Sequence, residues 1–261
     1  MSDHVRVEKQ GPVLSITLAR PERRNAITVA MYGALADAVE AACADSSVRL
    51  IAFRGEGKDF AAGNDLADFL DVSTREGDEI AVWRFLRVLA ACETPIVAAV
   101  HGNCVGIGTT MLLHCDLVVA EDRTRFSLPF VDLGLVPEAA SSMLVPRIAG
   151  RRLAARYLLL GESFGVEEAG SIGLISHRAA AGDLDRVFGQ IIDRLLAKPP
   201  EALRETQRLL RHGARDEIKE RMRLEGEIFA ERLKSPEVKE AITAFFEKRQ
   251  PNFSDLRGPK D

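Results

Sequence analysis

Apolar positions recur along this chain in two rhythms. Short runs such as Ile96-Val-Ala-Ala-Val100 and Leu117-Val-Val-Ala120 are apolar at every position, the pattern of strands buried on both faces. Val5–Val7 and Val13–Leu18 alternate apolar and polar residues around Gln10-Gly11-Pro12, which predicts a β-hairpin. Longer stretches repeat at helical spacing. Thr28 caps a predicted helix running to Ala44, with Met31, Leu35, Ala38, Val39 and Ala42 as its buried stripe. Glu79 to Cys92 predicts a second, with Trp83, Leu86, Leu89 and Ala90 on one face.

Between these helices lies a strand-like run, Arg49 to Arg54, followed by Gly55-Glu56-Gly57. Gly63 then precedes a helical pattern with Leu66, Phe69 and Leu70 on one face, and the polar segment Asp71 to Asp78 is expected to be mobile and to border a pocket. Pro95 to Asp116 has the same plan: a strand, a turn punctuated by Gly102, Gly106 and Gly108, and an apolar helix opening near Thr109. Such turns let peptide N–H groups point at a ligand, and a helix start adds unpaired donors. Two units of this kind can converge on one oxygen that carries or gains negative charge. Any α/β protein also has glycine turns before helices, so the pattern alone leaves both readings open.

Arg125 to Leu128 reads as a further strand, Glu138 to Ile148 and Arg151 to Leu160 as helices. From Asp183 the chain is helical throughout, over 183–197, 200–213, 216–234 and 236–249. The expectation is an α/β core over residues 1–199 and an all-helical region over 200–261.

Composition adds little to that picture. The chain has 261 residues, 46% hydrophobic and 28% charged, which is ordinary globular material with length for a sizeable core. A net charge of −4 gives no bulk attraction to nucleic acid or an anionic membrane. No apolar run approaches bilayer length. MSDHVRVEKQ lacks the apolar core of a secretory signal, and RGPKD carries no retention or peroxisomal tripeptide. Cys43, Cys92, Cys104 and Cys115 lack C-x-x-C spacing and read as reduced core thiols, so a cytoplasmic protein is expected. No histidine and cysteine cluster has metal-ligand spacing. Gly106-Ile-Gly108-Thr-Thr-Met111 starts like a dinucleotide fingerprint but has Met111 at the third glycine.

Phe60-Ala-Ala-Gly-Asn-Asp-Leu66, Pro95-Ile-Val-Ala-Ala-Val-His-Gly102, Gly106-Ile-Gly108, His114-Cys-Asp116, Phe126 to Gly134 and Ala244-Phe-Phe-Glu-Lys-Arg249 together resemble the enoyl-CoA hydratase/isomerase (crotonase) superfamily. The resemblance runs over essentially the whole chain. It implies a crotonase-like α/β spiral of β-β-α units with a C-terminal helical trimerisation region. It also implies acyl-CoA thioesters as ligands, with no cofactor beyond the coenzyme A of the substrate, and a homotrimer or dimer of trimers. By the same resemblance the oxyanion donors are the backbone N–H groups of Asn64 and Ile107. A lost donor of this kind costs about 3–4 kcal/mol. Arg24 and Ala26 are implied near the pyrophosphate and pantetheine, backbone groups of Ala62 and Leu66 at the adenine, and Phe245 and Lys248 at a neighbouring subunit's ligand. Trp83 and Phe130 are candidates for the acyl-pocket wall, although core packing explains each aromatic taken singly.

Hydration in this family resembles a two-carboxylate task, and here the two expected glutamate positions hold Thr110 and Phe130. A carboxylate stands instead at Glu138, in Leu133-Gly-Leu-Val-Pro-Glu-Ala-Ala-Ser-Ser142, which resembles the Pro-Glu-x-x-Ser/Thr stretch of the Δ3,Δ2-enoyl-CoA isomerases. There a single glutamate moves a proton between C2 and C4. Leu135, Val136, Ala139, Ala140 and Met143 are expected to desolvate Glu138 and raise its pKa. The plainer reading makes Pro137 and Glu138 the first two residues of a helix, favoured by fixed φ and the macrodipole, which would oppose that rise.

Asp132 is a weaker candidate for a second acid, Asp65 for a cap on its own turn, and His101 and His114 for hydrogen-bonded core residues. Arg204, Arg208, Arg211 and Arg215 follow helical spacing as a basic stripe, read as surface or subunit interface. The alternatives to an isomerase are a hydratase, a thioester hydrolase, or a non-catalytic homologue that binds CoA esters or RNA.

Overall fold

A computed structural model of the chain describes residues 2–68 and 81–256. Phe69, Leu70, the Asp71–Asp78 segment and the first two residues of the expected 79–92 helix lie outside the described residues.

The N-terminal hairpin forms as expected: β1 (Val5–Gln10) pairs antiparallel with β2 (Val13–Leu18). Helix α1 (Val29–Ala44) follows, with the Thr28 hydroxyl accepting from Met31 N–H as its cap. Strand β3 (Leu50–Gly55), helix α2 (Ala81–Ala91) and strand β4 (Ile96–Val100) come next. Strand β5 (Asn103–Val105) and helix α3 (Ile107–Thr110) lead into a 3-10 turn at Met111–His114. Strands β6 (Leu117–Glu121) and β7 (Arg125–Ser127) precede a 3-10 turn at Val131–Leu133 and helix α4 (Ser141–Leu159). Then come β8 (Phe164–Gly165), α5 (Val166–Ser171), β9 (His177–Ala179) and α6 (Leu184–Leu196). Helices α7 (Pro200–His212), α8 (Arg215–Leu233) and α9 (Pro236–Glu247) complete the described elements.

A six-stranded sheet has the order β1-β2-β3-β4-β6-β9, parallel from β2 onwards. Both faces are covered, which explains the unbroken apolar runs. Ile51, Phe53, Ile96, Ala98 and Val100 join the main core, while Leu50, Ala52, Val97, Ala99 and Val119 join a second core with Phe188 and Ile191 of α6. A smaller sheet, β5-β7-β8, receives the chain after it leaves β4 and β6 of the large one. So β4 leads to β5 and α3, and β6 leads to β7 and the 131–133 turn. Residue Ala61, bridged to Cys104, is a one-residue version after β3. This is a spiral of β-β-α steps.

Five local expectations change. The helix after the central strand starts two residues earlier, at Ile107, and lasts one α-helical turn, because Gly106 (φ 53) turns the chain directly into it. The buried face of α2 is Val82, Phe85, Leu86 and Leu89, with Trp83 and Ala90 at its edge. Glu138 lies before α4, because Ala139 and Ala140 are both left-handed (φ 59 and 57) and the helix opens only at Ser141. The sequence reading placed no elements between Gly161 and Asp183, where β8, α5 and β9 lie. Of the cysteines, Cys43 is exposed rather than a core thiol. It sits 2.9 Å from the buried Cys92 sulfur, and the Cys92 thiol, its first partner there, pulls it down to about 7.

The basic stripe also divides. Arg204 and Arg208 pair with Glu201 and Glu205 on the surface. Arg211 points inward: it donates to the carbonyls of Leu89, Cys92 and His114 and pairs with Asp116 at 3.1 Å. Asp116 in turn accepts from Ile96 N–H at 2.7 Å. Arg211 therefore bolts α7 to the end of α2 and to both ends of the central stretch. Among the described residues no helix is long and apolar enough to cross a membrane.

Removing that bolt leaves carbonyls and a carboxylate unpaired. Arg211→Ala is expected to cost about 2–4 kcal/mol in urea unfolding. Arg208→Ala, on the same helix, should stay within about 0.5 kcal/mol. Equal losses would show that Arg211 is an ordinary surface arginine.

Candidate functional site

The spiral brings two backbone donors to neighbouring places. Val105 N–H donates to Ala61 O and Ala61 N–H to Asn103 O, so residues 61–64 run alongside β5 in parallel register. Three residues beyond Ala61 and Cys104 lie Asn64 and Ile107. On its other edge the segment pairs with Ile27, which donates to Gly63 O and accepts from Asp65 N–H. Parallel pairing of that kind turns the N–H of Asn64 to the β5 side. Ile107 is the first residue of α3, where a helical N–H has no intrahelical acceptor. Among the described residues no hydrogen bond uses either N–H. Close approach here needs Gly108, since a Cβ there would stand 2.9 Å from the Ala61 side chain.

The loop ahead of α1 braces this arrangement. Arg20 pairs with Asp65 at 2.6 Å and also donates to Ala26 O. Asn25 is fully buried, and its amide donates to the carbonyls of Glu56 and Asp59 while its oxygen accepts from Arg20 N–H. Asp65 also accepts from Ala67 and Asp68 N–H, capping the helical turn that opens at Leu66 as its position suggested.

Glu138 has no solvent exposure. One carboxylate oxygen accepts from the Thr110 hydroxyl at 3.4 Å; the other is buried with no partner among the described residues. A buried polar atom left unpaired is rare and calls for a reason. Burial first, and then the nearby Glu225 carboxylate, pushes the Glu138 pKa up to about 8, with the Thr110 bond opposing. The direction is the one expected from its apolar neighbours, of which Leu135, Ala139 and Ala140 are buried.

Three groups surround the Glu138 turn: His114, a hydrogen-bonded core residue as expected, and Glu225 and Tyr32, which the sequence reading missed. His114 Nε2 donates to Ala139 O at 2.8 Å, and burial lowers its pKa to about 4, so it is neutral near pH 7. The Glu225 carboxylate, reaching over from α8, accepts from Ala140 N–H at 2.6 Å and Ser142 N–H at 2.9 Å. Tyr32 on α1 donates to the Asn64 side-chain oxygen, and its pKa is raised by burial and by Glu138. Tyr32 is therefore tied to the Asn64 turn, near enough to Glu138 for that carboxylate to raise its pKa further. The available signal for it was a tyrosine on an otherwise aliphatic helix stripe. Glu225 had none, standing among Glu217, Glu220, Glu227 and Glu231.

The remaining predicted site residues fall in three places. Arg24 (φ 52) is exposed and lines a cleft of about 670 Å³ with Pro21, Glu22, Lys58 and Asp59. Ala26, Ala62 and Leu66 sit partly buried beside it in sequence and fold, and Ala62 N–H is committed to Arg24 O at 2.9 Å. Trp83 packs edge-on against Phe229 of α8 (centroids 5.5 Å apart) and over Gly226, in a groove of about 660 Å³ between α2 and α8. Phe130 is buried in the main core, its carbonyl accepting from Leu133 and Leu135 N–H. Phe245 and Lys248 lie exposed at the end of α9. Asp132 is exposed beside Gly161, and His101 bonds Gly57 O at 3.0 Å.

This architecture has close parallels. The structure of an enoyl-CoA hydratase/isomerase from Pseudoalteromonas atlantica T6c superposes with a TM-score of 0.91 at 41% identity, over 97% of this chain and all of that one. OdaA of Pseudomonas aeruginosa gives 0.89 at 39% identity, over 94% of this chain and 99% of that one. The 2,3-dehydroadipyl-CoA hydratase of Escherichia coli K12 is 32% identical over 95% of this chain and 97% of its own. The 1,2-epoxyphenylacetyl-CoA isomerase of the same organism is 30% identical over 93% and 95%. The family model described as enoyl-CoA hydratase/isomerase matches residues 8–257. With its crotonase fold and this match along nearly its whole length, the chain belongs to the enoyl-CoA hydratase/isomerase family.

Proposed function

We propose that this crotonase-type acyl-CoA enzyme is a Δ3,Δ2-enoyl-CoA isomerase with Glu138 as its single acid–base. The observation that carries the reading is the buried, half-unpartnered Glu138 carboxylate, close to Thr110 and Tyr32 and hence to the free N–H groups of Ile107 and Asn64. The thioester oxygen accepts from those two N–H groups. The Glu138 carboxylate takes a proton from C2, giving a dienolate whose negative charge rests largely on that oxygen. The resulting carboxylic acid returns the proton to C4, the double bond moves into conjugation, and Glu138 is again ionised. One residue suffices because the proton is only relocated.

The same reading puts the coenzyme A pyrophosphate and pantetheine at Arg24 and Ala26. The adenine lies against Leu66 and the carbonyl of Ala62, whose N–H is already used. Trp83 and Phe130 wall the acyl end. Phe245 and Lys248, exposed in one chain, reach the ligand of a neighbouring subunit in a homotrimer or pair of trimers.

A hydratase is the second reading, and relatives' names favour it: 2,3-dehydroadipyl-CoA hydratase of Escherichia coli is one. Hydration needs a group to activate water besides the one that protonates carbon. At the place of the first family carboxylate stands the Thr110 hydroxyl, which donates to Glu138 and is no base. The near carboxylate, Glu225, is occupied by two backbone donors.

With 3-hexenoyl-CoA as substrate, absorbance of the conjugated thioester should rise without any added hydratase, and Glu138→Gln should lower the rate about 10²–10⁴-fold. Loss of conjugation from crotonyl-CoA would replace this reading with the hydratase one, and near-normal isomerisation by the variant would overturn Glu138 as the acid–base. The ionised carboxylate is the active base, so kcat/KM should climb with pH and level off above about 8.

Stability should show the opposite trend. Folded Glu138 keeps its proton up to about 8, whereas the unfolded group releases it near the ordinary 4.5. Stability is therefore lost as pH rises through that window and is unaffected below it. Urea unfolding of Glu138→Gln should gain on wild type between those limits and hold the gain above; a pH-independent difference would contradict the raised value.

A further inference from the structure

The Glu138 turn is held by a carboxylate far along the chain. Ala139 and Ala140 are left-handed, a conformation that costs a non-glycine residue about 1 kcal/mol or more, so something outside the turn must fix it. The N-cap position of α4 is Ala140, whose side chain cannot cap. Glu225 does so instead, one oxygen on Ala140 N–H and the other on Ser142 N–H, while itself only 4% exposed. A buried carboxylate is an expensive way to cap a helix when serine or aspartate at the N-cap would serve. Its placement close to a second buried carboxylate adds repulsion that a neutral cap would avoid.

The two carboxylates have unequal surroundings. Burial raises the Glu225 carboxyl above its ordinary range, and the Ser142 hydroxyl, the two backbone donors and the positive charge of Arg221 on its own helix oppose that rise. Glu138 faces Glu225 from α8, the Tyr32 phenol from α1 and the Thr110 hydroxyl from α3, and only the last supports its charged form. The neutral His114 from the 111–114 turn contacts the Ala139 carbonyl rather than the carboxylate. When two nearby carboxylates differ in this way, the better-bonded one carries the charge and the other keeps its proton.

We propose that Glu225 is a positioning residue for Glu138: its carboxylate, bonded to the N–H groups of Ala140 and Ser142, fixes the left-handed turn that presents Glu138. This rests on the reading of Glu138 as the acid–base, and it gives the C-terminal helical region a part in the chemistry. Trp83 of α2 lies against the same helix at Gly226, next in sequence, so α8 is seated between the α2 groove and the Glu138 turn.

The test is a carboxyl-carbon NMR titration of the full-length protein labelled with [δ-13C]glutamate, with the Glu138 signal identified by its loss in Glu138→Gln. Glu225→Gln should move the Glu138 midpoint down from about 8 by roughly half a pH unit or more, and the rise of kcat/KM with pH should move with it. Glu225→Asp keeps the charge but shortens the reach, so the midpoint should stay high while kcat falls. An unchanged Glu138 midpoint in Glu225→Gln overturns the proposal. Wild type supplies an independent readout if that variant does not fold. The Glu138 and Glu225 signals should each show the other's inflection, and two independent single-step curves would overturn the proposal. Failure of the functional reading is seen separately, as undiminished turnover by Glu138→Gln.

Discussion

Burying a carboxylate without a full set of hydrogen bonds is among the costliest things a fold can do, and the centre of this molecule is arranged around one. Desolvation favours the protonated form and makes the ionised form a stronger base. The groups around Glu138 set how far that goes. The Thr110 hydroxyl gives one weak bond, Glu225 adds repulsion, and the apolar residues around the turn exclude water. A carboxylate capped fully by backbone donors, as Glu225 is, would be a poor proton acceptor.

The opposite strategy serves the other half of the site. In the proposed reading Asn64 and Ile107 contribute only backbone N–H groups, so what the fold must secure is direction, not side-chain chemistry. Direction comes from register: Ala61 is bridged to Cys104, and Ile27 takes the far edge of the 61–65 segment. Fixed peptide dipoles need no reorganisation as charge develops, which is why they suit an oxygen becoming an enolate. The buried Asn25 and the Arg20–Asp65 pair hold that register from the loop before α1.

Much of this was legible in the chain. The hairpin, the strand at Ile96–Val100 and the four C-terminal helices follow from periodicity; β1 runs three residues past the expected Val7, and the other limits lie within one or two residues of the expected ones. Glu138 stood out because Pro137-Glu138-Ala139-Ala140-Ser141 resembles the Pro-Glu-x-x-Ser/Thr stretch of the Δ3,Δ2-enoyl-CoA isomerases. What could not be read is whatever depends on partners distant in sequence. Nothing near Ala139 and Ala140 announces left-handed backbone, since alanine is ordinarily a helix former; the turn exists because His114 and Glu225 hold its carbonyl and N–H groups. Arg211 looked like one of four equivalent stripe residues until α7 was seen packed over the ends of α2. Two residues, β8 and its neighbours aside, were too few to show a strand period.

The helical region cannot then be regarded as an appendage whose only task is assembly. Arg211, Gln207 and Glu225 are its polar residues drawn into the interior, and each meets backbone groups of the α/β part: Arg211 and Gln207 the carbonyl of Cys92, Glu225 the N–H groups at the start of α4. Backbone groups at helix ends lack intrahelical partners, so they are the natural points for another element to attach. α7 satisfies carbonyls where α2 ends, and α8 satisfies N–H groups where α4 begins. Cation meets carbonyl and anion meets N–H, each complementary to the helix dipole. The same contacts that fasten the helices to the core thereby set the shape of the turn carrying Glu138, so the docking of α8 and the environment of the buried carboxylate are one structural problem.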